Sequence, residues 1–190
     1  MQNILSIIAL AIFISFVAGR AITMRRKGKR AMVFGKTDKS DFLLILIIVW
    51  IIYPVPARAF GLPMWDPLVH PFWESTAPGW VGIALCAIAI AGLAASLKSF
   101  GDSFRVGIDV DTQDKLVTTG MFAISRNPLY LCIILFLLGM LLIHRNIVIT
   151  AAVIAFMLVV HRQILREEVF LTRHYGAEFV EYCKKVRRYL

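Results

Sequence analysis

The sequence predicts an all-α, polytopic membrane protein with about five transmembrane helices. Three observations carry that prediction. Hydrophobic residues make up 59% of the 190 and charged ones 17%, with a mean hydropathy of +0.75 that exceeds what a soluble domain carries. The apolar residues fall in runs long enough to cross a bilayer. The basic residues gather in the connections on one side of those runs. Cysteine adds no further architecture. Cys86, Cys132 and Cys183 lie in apolar or helical contexts without paired spacing, which suggests neither a disulfide framework nor a metal site, only small buried hydrophobes.

The first run covers about Ile4 to Gly19. No basic residue precedes it and Arg20 opens a basic cluster after it, which predicts a retained span and not a cleaved leader. The second covers about Phe42 to Phe60, with Pro54 and Pro56 kinking or ending it. The third, Trp80 to Leu97, contains "VGIALCAIAIAGLAAS", whose small residues allow close helix packing in lipid. From Pro128 to Val160 the chain is apolar except at His144, Arg145 and Asn146. About 33 residues exceed one span, so two helices joined by a tight hairpin at those polar residues are expected. Gly176 then breaks a helix, and "AEFVEYCKKVRRYL" reads as a short amphipathic helix on the surface. The organisation expected is one integral membrane domain over 1–190, with spans one to three in 1–97 and spans four, five and the tail in 98–190.

Charge orients the spans. The loop after span one holds Arg20, Arg25, Arg26, Lys27, Lys29, Arg30, Lys36 and Lys39, and the loop after span three adds Lys98, Arg105, Lys115 and Arg126. The tail is basic as well, while Arg58 and Arg145 fall on the other face. The positive-inside rule therefore predicts an outside N-terminus and a cytosolic C-terminus in a multi-pass protein of the plasma (inner) membrane. A net charge of +9 is accounted for by a surface facing anionic membrane lipids, without nucleic acid. Trp65 and Trp73 in the outer loop read as an interfacial aromatic belt, with Asp66, His70 and Glu74 solvated. Asp109, Asp111 and Asp114 read as a solvated turn, because the other ligands of a calcium loop are missing.

Two polar features sit on the predicted cytosolic side. In "SRNPLY", Pro128 suits the first position of a helix and Asn127 suits its N-cap. That helix start, with Arg126, serves either as a cap with a lipid-phosphate contact or as an anion site for a ligand. Glu167 and Glu168 lie within about two turns of the end of span five, where carboxylates need partners, and Arg162 is within helical reach of Arg166 and, one to two turns on, of Glu167, which allows an internal ion-pair network. A charged juxtamembrane anchor is the plain alternative.

"LVTTGMFAISRNPLY", followed after a hairpin by "REEVFLTRHYGAEFVEYCKKV", resembles the C-terminal half of the isoprenylcysteine carboxyl methyltransferase and phospholipid methyltransferase superfamily. Its members carry Leu-Val-x-x-Gly, five residues, Arg-His-Pro-x-Tyr, and later a Glu-Glu pair with Gly-x-Glu-Tyr-x-x-Tyr. The likeness covers about Leu116 to Val186. It implies a membrane methyltransferase that uses S-adenosylmethionine on a lipophilic acceptor, an isoprenylcysteine carboxylate or a lipid, reaching the site from the bilayer. It implies that 98–190 is the cofactor-binding half, closed by the C-terminal helix. By position, Leu116, Val117 and Gly120 would contact the adenosine, and Arg126, Asn127 and Tyr130 would lie near the methionine end. Glu167 and Glu168 would face cofactor and substrate, with Arg162 or Arg166 near the acceptor. Two positions depart from the pattern. Asn127 replaces the usual His, which removes a titratable group, and the Arg expected four residues before the Glu pair falls at Gln163, beside Arg162.

Methyl transfer from a sulfonium disperses positive charge, so a protein chiefly positions the partners and excludes water. A carboxylate acceptor needs only an orienting cation, whereas an amine or thiol needs a base such as Glu167 or Glu168. No Gly-x-Gly-x-x-Gly motif occurs, which excludes a soluble Rossmann methyltransferase. Two rival functions fit the same architecture: an NADPH-dependent lipid double-bond reductase of the sterol-reductase type, and a non-enzymatic membrane scaffold.

Overall fold

The computed structural model describes residues 1–26, 47, 49–66, 70–100 and 116–190, which are mostly helical with no strand among them. In chain order the helices are α1 (Gln2–Arg26), α2 (Pro54–Phe60), α3 (Ala77–Phe100), a 3-10 turn (Gly120–Ala123), α4 (Pro128–His144), α5 (Ile147–Tyr175) and α6 (Ala177–Lys185). Helices α1, α3 and α5 are long and apolar enough to cross a membrane, and α4 is a shorter apolar helix of 17 residues. Ile4, Ile8, Ile12 and Phe16 form an exposed stripe along α1 at four-residue spacing, the arrangement of a lipid-facing surface. The chain is an all-α membrane protein.

Helix ends extend past the apolar runs. α1 continues to Arg26 instead of ending near Gly19, and α3 runs from Ala77 to Phe100 instead of Trp80 to Leu97. Backbone hydrogen bonding does not stop where lipid does, and Arg and Lys side chains near a helix end reach toward water. The N-terminal part of the expected second span lies outside the described residues, as do the basic loop before it and the 101–115 segment with Arg105, Asp109, Asp111, Asp114 and Lys115. Helical residues 49–52 pass through Tyr53 into α2, which Pro54 opens at its first turn and Gly61 ends in the left-handed conformation.

The tightest seam joins α3 to α4. A Cβ on Gly82 would stand 2.5 Å from the Gly139 carbonyl oxygen, and one on Gly139 would stand 2.6 Å from the Gly82 carbonyl oxygen and the Cys86 Sγ. Neither backbone can give way, so both positions require glycine. In lipid no hydrophobic gain draws helices together, and such close packing is what holds the pair. Cys86 and Cys132 are buried in the seam, with Cys86 Sγ 3.7 Å from the Phe136 carbonyl and Cys132 Sγ 4.0 Å from Ser96 Oγ. On the other side of the seam, the Phe13 ring of α1 stacks on Phe136 at 4.3 Å.

The α4–α5 hairpin falls at the expected residues. Arg145 takes the left-handed conformation, with φ of 40°, and ends α4. Asn146 caps α5, its Oδ1 accepting the Ile149 N–H at 2.9 Å. From there Ile149, Val153, Phe156, Val160 and Ile164 form one buried stripe that packs on Leu137 of α4.

Gly139→Ala is expected to destabilise the full chain by about 1–3 kcal/mol, the usual cost of overpacking a filled site. Thermal unfolding in detergent reads this as a lower midpoint. Gly19→Ala is the control, since nothing lies within 4 Å of its added Cβ. Its midpoint should hold or rise slightly.

Candidate active site

The Glu pair is placed by helical arithmetic. Glu167 and Glu168 follow Ile164 by three and four residues, so they continue the buried α5 stripe and face α4. Twenty residues from Ile147 to Glu167 rise about 30 Å, the thickness of a bilayer's hydrocarbon core. With the hairpin at one boundary, the pair therefore stands at the other. Asn127 and Pro128 begin α4 at that same boundary.

Each carboxylate has its own partners. Tyr130 donates its hydroxyl to Glu167 Oε1 at 2.8 Å, and Gln163 Nε2 donates to the same oxygen at 3.1 Å. Glu168 is gripped by two guanidiniums. Arg126 Nη2 lies 2.9 Å from Oε1, Arg188 Nη2 lies 2.7 Å from Oε2, and Arg188 Nε is 3.0 Å from Oε2. The Glu168 and Arg126 side chains are only 14% and 12% exposed, a setting in which an unpaired charge would be costly. The hydrogen bond to Glu168 holds the Arg188 guanidinium above its ordinary pKa.

The residues after α6 turn back to complete the site. The Arg126 N–H donates to the Arg187 carbonyl at 3.0 Å, and Asn127 Nδ2 and Ser125 Oγ donate to the Arg188 carbonyl at 3.1 and 3.3 Å. Asn127 thus occupies the N-cap position without making a capping hydrogen bond, contrary to the sequence expectation. Its amide is drawn outward because the tail carbonyl lies within reach, while its own N–H donates to Ser125 Oγ at 3.1 Å. The α6 helix is also more than a surface helix. It buries Phe179 and Tyr182, and the Tyr182 hydroxyl donates to the Phe122 carbonyl at 2.6 Å. Burial pushes that phenol up to about 12, so it keeps its proton and its bond at neutral pH.

Of the residues singled out in the sequence, Arg126, Asn127, Tyr130, Glu167 and Glu168 come together here. Leu116 and Val117 are half-buried just before the 3-10 turn, and Gly120 opens the turn with φ of 63° against Ser99. Arg162 is exposed and Arg166 half-buried. Both lie off the buried stripe, since two residues' separation from Val160 or Ile164 is about 200° around a helix. Ser125, Tyr182 and Arg188 were not singled out, and Gln163 was noted only as a departure from the family's pattern. Gln163 precedes Glu167 by one helical turn and Tyr182 completes the family's Gly-x-Glu-Tyr-x-x-Tyr pattern, whereas nothing local marks Arg188.

Glu168→Gln should loosen the 186–190 tail, while Glu167→Gln should leave it docked. Limited trypsin digestion reads the difference as cleavage at Arg187 and Arg188, faster by about tenfold for a 1.4 kcal/mol loss of docking.

Residues 78–178 match the phospholipid methyltransferase family, a stretch running from the start of α3 into α6. The chain is also 30% identical over 118 residues to the cobalt-zinc-cadmium resistance protein CzcN of Cupriavidus metallidurans. That match takes in 61% of this chain and 52% of the relative, so the chain spans about half the length of the curated protein it matches. The family match covers more than half of the 190 residues and includes both the Arg126–Tyr130 segment and the Glu pair. This chain belongs to the phospholipid methyltransferase family.

Proposed function

We propose that the protein transfers a methyl group from S-adenosylmethionine to a lipophilic acceptor at the membrane edge where α4 begins. The observation that carries this reading is the junction of Tyr130–Glu167 and Arg126–Glu168–Arg188, which gathers two carboxylates and two guanidiniums at one bilayer boundary. Its donor set suits that cofactor. Arg126 keeps a buried Nε with no partner, a donor available to a carboxylate. Glu167, aligned by Tyr130 and Gln163, offers an acceptor to an ammonium or a ribose hydroxyl. The cofactor supplies an electrophilic methyl on a sulfonium.

This chain's own part is binding, alignment and the exclusion of water. We assign the 116–120 segment to the adenosine side and the docked tail to covering the site. Arg166, half-buried beside the pair, is the cation we assign to an anionic acceptor such as an isoprenylcysteine carboxylate, with Arg162 exposed one turn earlier. A phospholipid amine would instead give up its proton, with Glu167 the nearest base. Ile124, Leu165 and Val169 are exposed around the site, an apolar rim across which a lipid or prenylated acceptor would arrive from the bilayer. With this end cytosolic, as the charge distribution predicts, the soluble cofactor approaches from the water side. The relative's name concerns cobalt, zinc and cadmium resistance. The family match, over more than half of the chain, supports methyl transfer as the activity we carry forward.

Incubating the full chain with methyl-labelled S-adenosylmethionine and a membrane lipid extract, followed by mass spectrometry, should reveal a labelled lipophilic product. Glu167→Gln should cut its formation by about a hundredfold, the scale of misplacing bound reactants. Absence of any labelled product from extracts of several membranes would count against methyl transfer to a lipid.

A further inference from the structure

His144 lies at the other end of α4, about 26 Å from Asn127 by helical rise. It is 1% exposed, and neither Nδ1 nor Nε2 has a hydrogen-bond partner. An imidazole buried that deeply ordinarily finds one. Its surroundings are cationic. Arg58 of α2 donates Nη1 to the His144 carbonyl at 3.4 Å, and Arg145 follows in the chain with a buried, unpartnered Nε. The charges acting on His144 are these two guanidiniums, and Arg145 also acts on Arg58. Arg145 is anchored in place. Its Nη1 donates to the Ser75 carbonyl, and its own carbonyl accepts the Phe72 N–H at 2.8 Å.

We propose that Arg58, His144 and Arg145 form an anion site that binds a phosphate group at the bilayer edge opposite the Glu pair. The donors come from three places: the end of α2, the last residue of α4 and the hairpin. A tetrahedral oxyanion accepts from three directions at once, which a planar carboxylate does less well. A neutral imidazole contributes one N–H, and Arg145 contributes the Nε left over from its bond to Ser75. At a bilayer edge phosphate comes from two sources, a lipid headgroup or the aqueous phase. This site is independent of methyl transfer, and its test does not use activity.

The full chain, purified and delipidated in detergent, is titrated with dioctanoyl phosphatidylglycerol, dioctanoylglycerol or inorganic phosphate and read by native mass spectrometry. One phosphatidylglycerol should bind at least about tenfold tighter than dioctanoylglycerol, which has the same chains without phosphate. Arg58→Gln and Arg145→Asn should each remove most of that preference, Asn being chosen because it tolerates the left-handed backbone. Competition by inorganic phosphate assigns the site to phosphate itself, and its failure to compete assigns the lipid headgroup. Equal binding of the two lipids by the parent protein would overturn the proposal whether or not either variant folds. So would unchanged preference in both variants.

Discussion

A single carboxylate, Glu168, ties together three parts of the chain that are far apart in sequence. Arg126 reaches it from the start of α4 and Arg188 from the C-terminal tail, while Glu168 itself stands near the far end of a 29-residue helix. The constraint is electrostatic. A carboxylate on the buried stripe of a membrane helix is tolerable only when its charge is met; Arg188 reaches both oxygens, and Arg126 adds a second contact to Oε1. Meeting it twice fixes the tail against α4, and the fixed tail in turn receives donors from Ser125, Arg126 and Asn127. Glu167 accepts from Tyr130 and Gln163. Adjacent residues of one type thus face different side chains.

The geometry that allows this begins in the core. Gly82 and Gly139 let α3 and α4 meet at backbone distance, which sets the position of α4. The Asn146 cap starts α5 at a defined residue, and a continuous helix then delivers the Glu pair about one hydrocarbon thickness away. An extra residue anywhere between Asn146 and Glu167 would rotate the pair by about 100° and take it off the face that meets α4. The phosphate site we propose at the hairpin would hold the opposite end of the same ruler against its bilayer edge.

Much of this was legible in the sequence because it depends on local chemistry. Pro128 at a helix start, the His144–Arg145–Asn146 hairpin and the break at Gly176 all follow from backbone preferences of single residues. The apolar runs that became α1, α3, α4 and α5 were legible for the same reason, though their ends were not all so, since helices outlast lipid. The site was only partly readable. Helical periodicity, applied along the Val160–Ile164 stripe, would have separated Glu167 and Glu168 from Arg162, and one turn back from Glu167 would have given Gln163 its place beside it. Arg188 lies 20 residues from Glu168 and 62 from Arg126, in a tail whose basic residues look alike until it is folded. The same folding explains Asn127, whose side chain chose a carbonyl 61 residues away over the helix it begins.

Titration calorimetry of S-adenosylmethionine into the full chain in nanodiscs tests the central claim most directly. One site is expected, with affinity at least about tenfold lower in Glu167→Gln and no matching heat from NADPH. No binding of S-adenosylmethionine, or NADPH binding that depends on Glu167 in its place, would contradict it.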